Sequence, residues 1–244
     1  MKYLKELYND IKPFIKYFRF VFILLLFLMS SIFKLIPITI FNIDVNNMTV
    51  EINCLLTLFS YFMLSICCIL LYFKEIKEQF ISLFKMKTKK KIIVFDTAFR
   101  YWLIGLIIML ISNFIIGQLG IGSPNNDTAV RNMLEASPII AGLSVILIAP
   151  FNEEVVFRMA FRDIIPNNLL YVLTSGIIFG GLHVIGSINT GYELLFLIPY
   201  CSLGIAFSKM YQDSNNVFVS YSIHFIHNAL TAFVTFLLAG VVLW

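Results

Sequence analysis

The sequence predicts an all-α, polytopic integral membrane helix bundle with about seven transmembrane helices, within a range of six to eight. Of its 244 residues, 59% are hydrophobic and 13% are charged, and the mean hydropathy is +0.88. Soluble domains carry roughly 25% charged residues, so the composition excludes this class. Apolar stretches of about 20 residues, long enough to cross a bilayer as helix, lie at 20–41, 52–73, 92–117, 139–158, 168–186, 192–211 and 217–243.

The first element begins with a basic stretch and continues into a long apolar run. That run is too long for a signal peptide and has no cleavage site of small residues, so we expect it to remain as a helix. The second span precedes a lysine-rich segment at 74–91. We therefore divide the chain into residues 1–91, with two N-terminal helices and a basic cytoplasmic loop, and residues 92–244, with five helices that carry polar side chains.

The loops between the spans predict the orientation of the bundle. Residues 1–20 and 74–91 are rich in lysine, and the positive-inside bias places both in the cytoplasm. The segments 42–51 and 120–138 are acidic or mixed and suit the outer side, as does Trp244 after an odd number of spans. Topology thus accounts for the net charge of +4 without nucleic acid, and membrane lipid is the expected partner of the lysines at 74–91.

Polar side chains inside the later spans form three clusters. Charged groups at bilayer depth are costly and mark function or a paired interior position. At about 1.5 Å per residue, the clusters come to overlapping depth, which predicts a shared cavity that opens toward the cytoplasmic half. Two glycines beside the second cluster should let another backbone approach. The clusters are Glu153, Glu154 and Arg158; Phe179 and His183 beside Gly180 and Gly181; and His224, His227 and Asn228.

Spacing separates roles within the first cluster. Glu154 and Arg158 stand four residues apart with the acid first, the favoured order for a helical ion pair. Glu153 lies about 100° round the helix and is the free carboxylate, which suits a general acid or base. The alternative, in which both glutamates only neutralise arginines at the cytoplasmic end, stays open. On the last helix His224 and Asn228 share a face, but spacing does not choose between Asn228 and His227.

Three motifs in this part of the chain resemble those of a known family. The segments EEVVFR at 153–158, FGGLH at 179–183 and HFIHN at 224–228 fit EExxxR, FxxxH and HxxxN. In this order, on separate predicted helices, they look like the motifs of the CPBP family of intramembrane proteases, which are CAAX proteases and bacteriocin-processing enzymes also called the Abi family. The resemblance covers about residues 139–230.

The resemblance implies an intramembrane endopeptidase of a bacterial cytoplasmic membrane. Glu153 and His183 would activate a water for attack on a peptide carbonyl, and His224 and Asn228 would stabilise the oxyanion. The substrate would be a membrane-associated peptide or protein, such as a peptide pheromone or bacteriocin precursor. The supporting residues would be Glu154, Arg158 and Phe179.

A metal is left undecided at this point. The family is often described as metalloproteases, and Glu153, His183 and His224 would make a two-histidine, one-carboxylate zinc set with an open position. The sequence has no HExxH, and a ligand role for Glu153 would leave Glu154 as the only nearby base. These considerations favour direct activation of water by glutamate and histidine.

Two further classes of function compete with a protease. A non-catalytic bacteriocin-immunity or scaffolding membrane protein could bind a peptide in the same cavity without cutting it. An ion-coupled transporter could use intramembrane glutamate and histidine as a relay. The sequence has no repeated halves and no paired broken helices of the kind that carriers show, which argues against transport.

Overall fold

The computed structural model describes residues 2–239, and every regular element within that range is a helix. Six helical segments are long and apolar enough to cross a membrane, and a bent pair at the N-terminus would make a seventh, which confirms the predicted fold class. Trp244 and the last residues of the predicted 217–243 span lie outside the described part. The helices are α1 (Lys2–Leu28), α2 (Ser30–Ile40), α3 (Val50–Lys85), α4 (Thr88–Gln118), α5 (Asn125–Ala136), α6 (Pro138–Ile164), α7 (Asn168–Val184), α8 (Leu197–Ser214) and α9 (Val217–Ala239).

The N-terminal span differs from the straight helix predicted at 20–41. α1 ends at Leu28, and the chain then bends by 61° into α2. α1 packs on α6 through two edge-to-face aromatic pairs, Phe20 with Phe161 and Phe27 with Phe157, whose ring centroids are 5.0 and 5.1 Å apart. Because of the bend, α1 packs against α6 while α2 leads the chain toward α3.

Two segments predicted as loops are largely helical. The lysine-rich stretch at 74–91 belongs to α3, which is kinked at Tyr72 and runs to Lys85, and to α4, which begins at Thr88. The outer segment contains α5, which hydropathy does not reveal because α5 is amphipathic and polar on average. Asn125 at the start of α5 donates from its backbone N–H to Ser187 Oγ at 2.8 Å, so α5 is docked where α7 ends.

α7 and α8 pack with their backbones in close contact. A Cβ at Gly176 would lie 2.6 Å from Ile205 N, one at Gly180 would lie 2.6 Å from Cys201 N, and one at Gly204 would lie 2.4 Å from the carbonyl oxygen of Gly176. Gly181, which we expected to share this role with Gly180, faces open space. The glycines of both helices therefore set the short distance between α7 and α8.

α6 is the central helix of the bundle and contains two π-helical turns, Leu143–Ile148 and Glu154–Ala160. All seven residues of the second turn are buried. A π turn accommodates an extra residue and re-aims the side chains around it, and such turns are frequent at functional sites. Glu153 ends the short α-helical stretch Ala149–Glu153 that separates the two turns.

Candidate active site

The two adjacent glutamates of α6 have opposite surroundings. Glu154 and Arg158 are fully buried, and Arg158 Nε donates to Glu154 Oε2 at 3.2 Å. One terminal nitrogen of Arg158 also lies within hydrogen-bond distance of Ser175 Oγ (3.0 Å) and Ser208 Oγ (3.2 Å). The Glu153 side chain is 15% exposed and lines a cavity. The arginine thus holds one carboxylate and leaves the other facing open space.

His224 lies between both carboxylates. Its Nδ1 is 3.0 Å from Glu154 Oε1, and its Nε2 is 3.5 Å from Glu153 Oε2. Because ionised carboxylate oxygens only accept hydrogen bonds, Nδ1 carries a proton. With a second proton on Nε2, the positive charges of Arg158 and His224 would balance the two carboxylates of Glu153 and Glu154. The imidazole ring is stacked on Phe207 with a centroid distance of 4.4 Å, which fixes its plane.

His183 is held at the end of α7 with one nitrogen free. Its Nδ1 is 2.9 Å from the carbonyl oxygen of Phe179, which only accepts, so Nδ1 is the protonated nitrogen and Nε2 carries the lone pair. The ring lies between Phe179 (4.7 Å) and Tyr200 (5.1 Å, interplanar angle 26°). The Tyr200 hydroxyl donates to Asp127 of α5. No sequence motif indicated Tyr200 or Asp127.

The remaining polar residues of α9 take different partners. Asn228 Nδ2 donates to the carbonyl oxygen of Val145 at 2.8 Å, in the π turn Leu143–Ile148 of α6, where the wider winding changes the backbone pairing. Trp102 of α4 donates from Nε1 to His227 Nδ1 at 3.3 Å. His227 therefore has a partner on a neighbouring helix.

A cavity of about 310 Å³ brings the candidate residues together. It extends past the bundle interior to α5, where Asn126, Asp127 and Arg131 line it. α5, which belongs to the segment predicted outside, supplies these polar walls at one end of the cavity. Glu154 and Arg158 are not among the lining residues. The candidate residues that line it are Glu153, Phe179, His183, His224, His227 and Asn228.

The donor set does not fit the zinc site considered from the sequence. Within residues 2–239, no group of three or more His, Cys, Asp or Glu side chains is arranged to hold a metal ion. Zinc ligands converge on one point at about 2 Å, and no three such side chains do so in the part of the chain that the structure describes. The same result applies to a set made of His183, His224 and His227.

Comparisons with known proteins agree with the motifs. Residues 135–230 match the family model described as type II CAAX prenyl endopeptidase Rce1-like. The UPF0177 protein YxdF of Lactococcus lactis subsp. lactis is 28% identical over 131 residues, which cover 51% of this chain and 70% of that protein. No solved structure matches the chain. The matched segment contains all three motifs, and the resemblance to CPBP intramembrane proteases is confirmed.

Proposed function

We propose, from the premise that residues 135–230 form the core of a CAAX-type intramembrane protease, that the protein is an endopeptidase in which Glu153 and His183 activate the attacking water. One observation supports this most directly. Glu153 from α6, His183 from α7, and His224 and Asn228 from α9 line a single cavity inside an apolar bundle. Ionisable and polar side chains are costly at membrane depth, and by default they mark a functional site.

The first step would be attack of water on the carbonyl carbon of the substrate. Glu153 and Nε2 of His183 both present lone pairs to the cavity, so each can accept a proton from the water as its oxygen bonds to carbon. The proton is then delivered to the nitrogen of the leaving amine when the carbon–nitrogen bond breaks. The hydrogen bond from Nδ1 of His183 to Phe179 selects the tautomer of the neutral imidazole in which Nε2 is the proton acceptor.

His224 and Asn228 would stabilise the negative charge that develops on the carbonyl oxygen. One N–H of Asn228 is used by Val145, and the amide has a second one to donate. Nε2 of His224 donates when it carries a proton. Preorganised donors in a water-poor site stabilise a developing oxyanion by several kcal/mol. Glu154 and Arg158 would support the site by fixing His224 in place.

The proposed substrate is a membrane-associated peptide or protein, with a peptide pheromone or bacteriocin precursor as the suggested type and a bacterial cytoplasmic membrane as the location. The cavity, at about 310 Å³, is at the lower end of the size of ligand pockets. It admits a short extended stretch of peptide and not a folded domain. The cleaved bond therefore has to lie in a flexible segment.

A cleavage assay in lipid tests this function. Purified protein in liposomes is incubated with a panel of membrane-associated peptides, and products are identified by mass spectrometry. Glu153→Gln keeps the size of the side chain and removes the ionisable oxygen, so we expect cleavage to fall by about a thousandfold or more. Glu135→Gln, on the exposed part of α5, is the matched control and should cleave like the wild type.

Two results would contradict the proposal. Near wild-type turnover in Glu153→Gln would remove Glu153 from the mechanism. Peptides that bind in the cavity and remain intact with the wild-type protein would favour the non-catalytic immunity or scaffolding function instead.

A further inference from the structure

α3, which lies outside the segment that matches the family model, contributes a tyrosine to the cavity. Tyr61 lines the same space as Glu153, His224 and Asn228. It belongs to none of the three motifs. The three motifs therefore do not explain why a tyrosine hydroxyl lies at the wall of the cavity.

The position of Tyr61 is fixed relative to Glu153 by a buried amide. Asn152, the residue before Glu153, is 1% exposed and donates from Nδ2 to the carbonyl oxygen of Tyr61 at 2.9 Å. Its Oδ1 accepts from Ser65 Oγ at 2.7 Å. Both hydrogen bonds join α3 to α6 at this level. The phenol and the Glu153 carboxylate are thus held by adjacent, rigidly connected pieces of backbone.

None of the side chains that the structure describes, at residues 11–237, hydrogen bonds to the Tyr61 hydroxyl; Ser65 and Asn152 bond its backbone carbonyl. Tyr61 is half-buried and lines the cavity, so its hydroxyl differs from that of Tyr72, which is buried without a partner. The other donors in the cavity are at least partly engaged, because Asn228 donates to Val145 and Nδ1 of His224 donates to Glu154. The phenol is therefore one of the donors that remain available to a molecule in the cavity, beside the second N–H of Asn228.

We propose that the Tyr61 hydroxyl donates a hydrogen bond to the carbonyl oxygen of the peptide bond that is cleaved. This inference rests on the proposed endopeptidase function. When water attacks, the electron pair of the carbonyl double bond moves to that oxygen, and the hydrogen bond from the phenol strengthens as the negative charge grows. Tyr61 keeps its proton throughout, since the proton of the water goes to Glu153 or His183.

The test compares Tyr61→Phe with Tyr72→Phe, a matched control on the same helix. Tyr72 also has a buried hydroxyl without a hydrogen-bond partner, but it does not line the cavity. Phenylalanine keeps the ring in both variants. We expect single-turnover cleavage by Tyr61→Phe to fall by about a hundredfold, as for loss of one oxyanion donor, with KM nearly unchanged. Tyr72→Phe should cleave like the wild type.

A binding measurement separates a contact with the tetrahedral intermediate from a packing effect. A peptide phosphonate, whose tetrahedral oxygens mimic that intermediate, should bind Tyr61→Phe about a hundredfold more weakly than the wild type. The parent peptide, measured in the Glu153→Gln background, should bind equally well with and without the Tyr61 hydroxyl.

The outcomes distinguish failure of this inference from failure of the proposed function. Wild-type cleavage and phosphonate binding by Tyr61→Phe, with Glu153→Gln inactive, would overturn the role of Tyr61 and leave the endopeptidase standing. Equal loss of parent-peptide and phosphonate binding would also overturn it, since the phenol would then only shape the cavity. A wild-type protein that neither cleaves peptides nor binds the phosphonate would overturn both proposals.

Discussion

At the scale of single residues, the site depends on the different faces of α6 on which two adjacent glutamates lie. Glu153 and Glu154 are chemically identical, yet one faces the cavity and the other is fully buried against Arg158. The buried carboxylate also accepts from His224. Its two oxygens therefore hold two different cations or donors, from its own helix and from α9. Glu154 therefore joins α6 to α9, whereas Glu153 faces the cavity.

The first residue-scale prediction is that Glu154→Gln destabilises the protein. The change leaves the buried Arg158 without its counterion, and breaking a buried pair typically costs about 3–5 kcal/mol. Unfolding in detergent, titrated with a denaturing surfactant, measures the loss. Glu153→Gln, in the half-buried neighbour, should unfold close to wild type. If Glu154→Gln is stable but inactive and Glu153→Gln cleaves, the two roles are reversed.

A second residue-scale prediction concerns the three polar side chains of α9. His224→Ala and Asn228→Ala should each lower the single-turnover rate by about a hundredfold, the usual effect of losing one oxyanion donor. His227→Ala should cleave nearly normally, although it leaves the Trp102 N–H without its acceptor and costs about 1–3 kcal/mol of stability. An inactive His227→Ala together with an active Asn228→Ala would mean that the motif match on this helix is misleading.

The sequence predicts those residue contacts that lie within one helix. The pairing of Glu154 with Arg158 follows from a spacing of four, which puts both side chains on one face. The position of His224 between two carboxylates depends on how α9 is rotated against α6, and no local pattern encodes that rotation. Tyr61 is one tyrosine in an apolar span, without a motif, and only tertiary packing brings it to the cavity.

At the scale of elements, the contact between α7 and α8 sets the geometry of the site. Their glycines bring the two backbones together without intervening side chains. His183 lies on α7 and Tyr200, which stacks on it, lies on α8. The distance between the rings is therefore determined by the approach of the helices, as is usual where small residues mediate packing in membranes.

We predict that Gly180→Ala and Gly181→Ala differ sharply, although the residues are adjacent. The new methyl group at Gly180 would meet Cys201 N at 2.6 Å, so α7 and α8 must separate; stability and cleavage should both fall. At Gly181 the methyl group has open space, and alanine raises helix propensity by about 1 kcal/mol. Surfactant unfolding and cleavage rates measure both. Equal behaviour of the two variants would refute the glycine contact.

Among the elements, hydropathy predicts the long spans and does not predict the short polar helix α5, the N-terminal bend or the π turns. The segment 120–138 is too polar to score as a span, so α5 is invisible to that criterion although it closes one end of the cavity. Hydropathy also does not predict the bend after Leu28 or the π turns of α6. These features change the direction or winding of a helix, and the sequence of apolar residues stays the same. These features arise from packing between helices.

At the scale of the whole molecule, the cavity and the basic surface lie toward opposite ends of the bundle. α5 covers the cavity end. The lysines of the turn between α3 and α4 lie at the other end, because α4 starts there and runs toward α5. The positive-inside bias assigns this basic end to the cytoplasm. The cavity would then face the outer half of the membrane.

The corresponding prediction uses single cysteines introduced in a background where the four native cysteines are replaced. A membrane-impermeant thiol reagent added to intact cells should label positions 47 and 126 and should not label positions 85 and 162. Because Asn126 lines the cavity, labelling at 126 should also inhibit cleavage, whereas labelling at 47 should not. Labelling of 85 and 162 alone would mean that the orientation is inverted.

The pair formed by Glu154 and Arg158 also affects the order in which the protein is made. Both residues belong to α6, so during co-translational insertion they neutralise each other before any later helix is synthesised. Glu153 meets His224, at 3.5 Å, only after α9 has been synthesised. A nascent chain that lacks α9 therefore has the ion pair but lacks the contact between Glu153 and His224. On the proposed mechanism, cleavage begins only after α9 has been inserted.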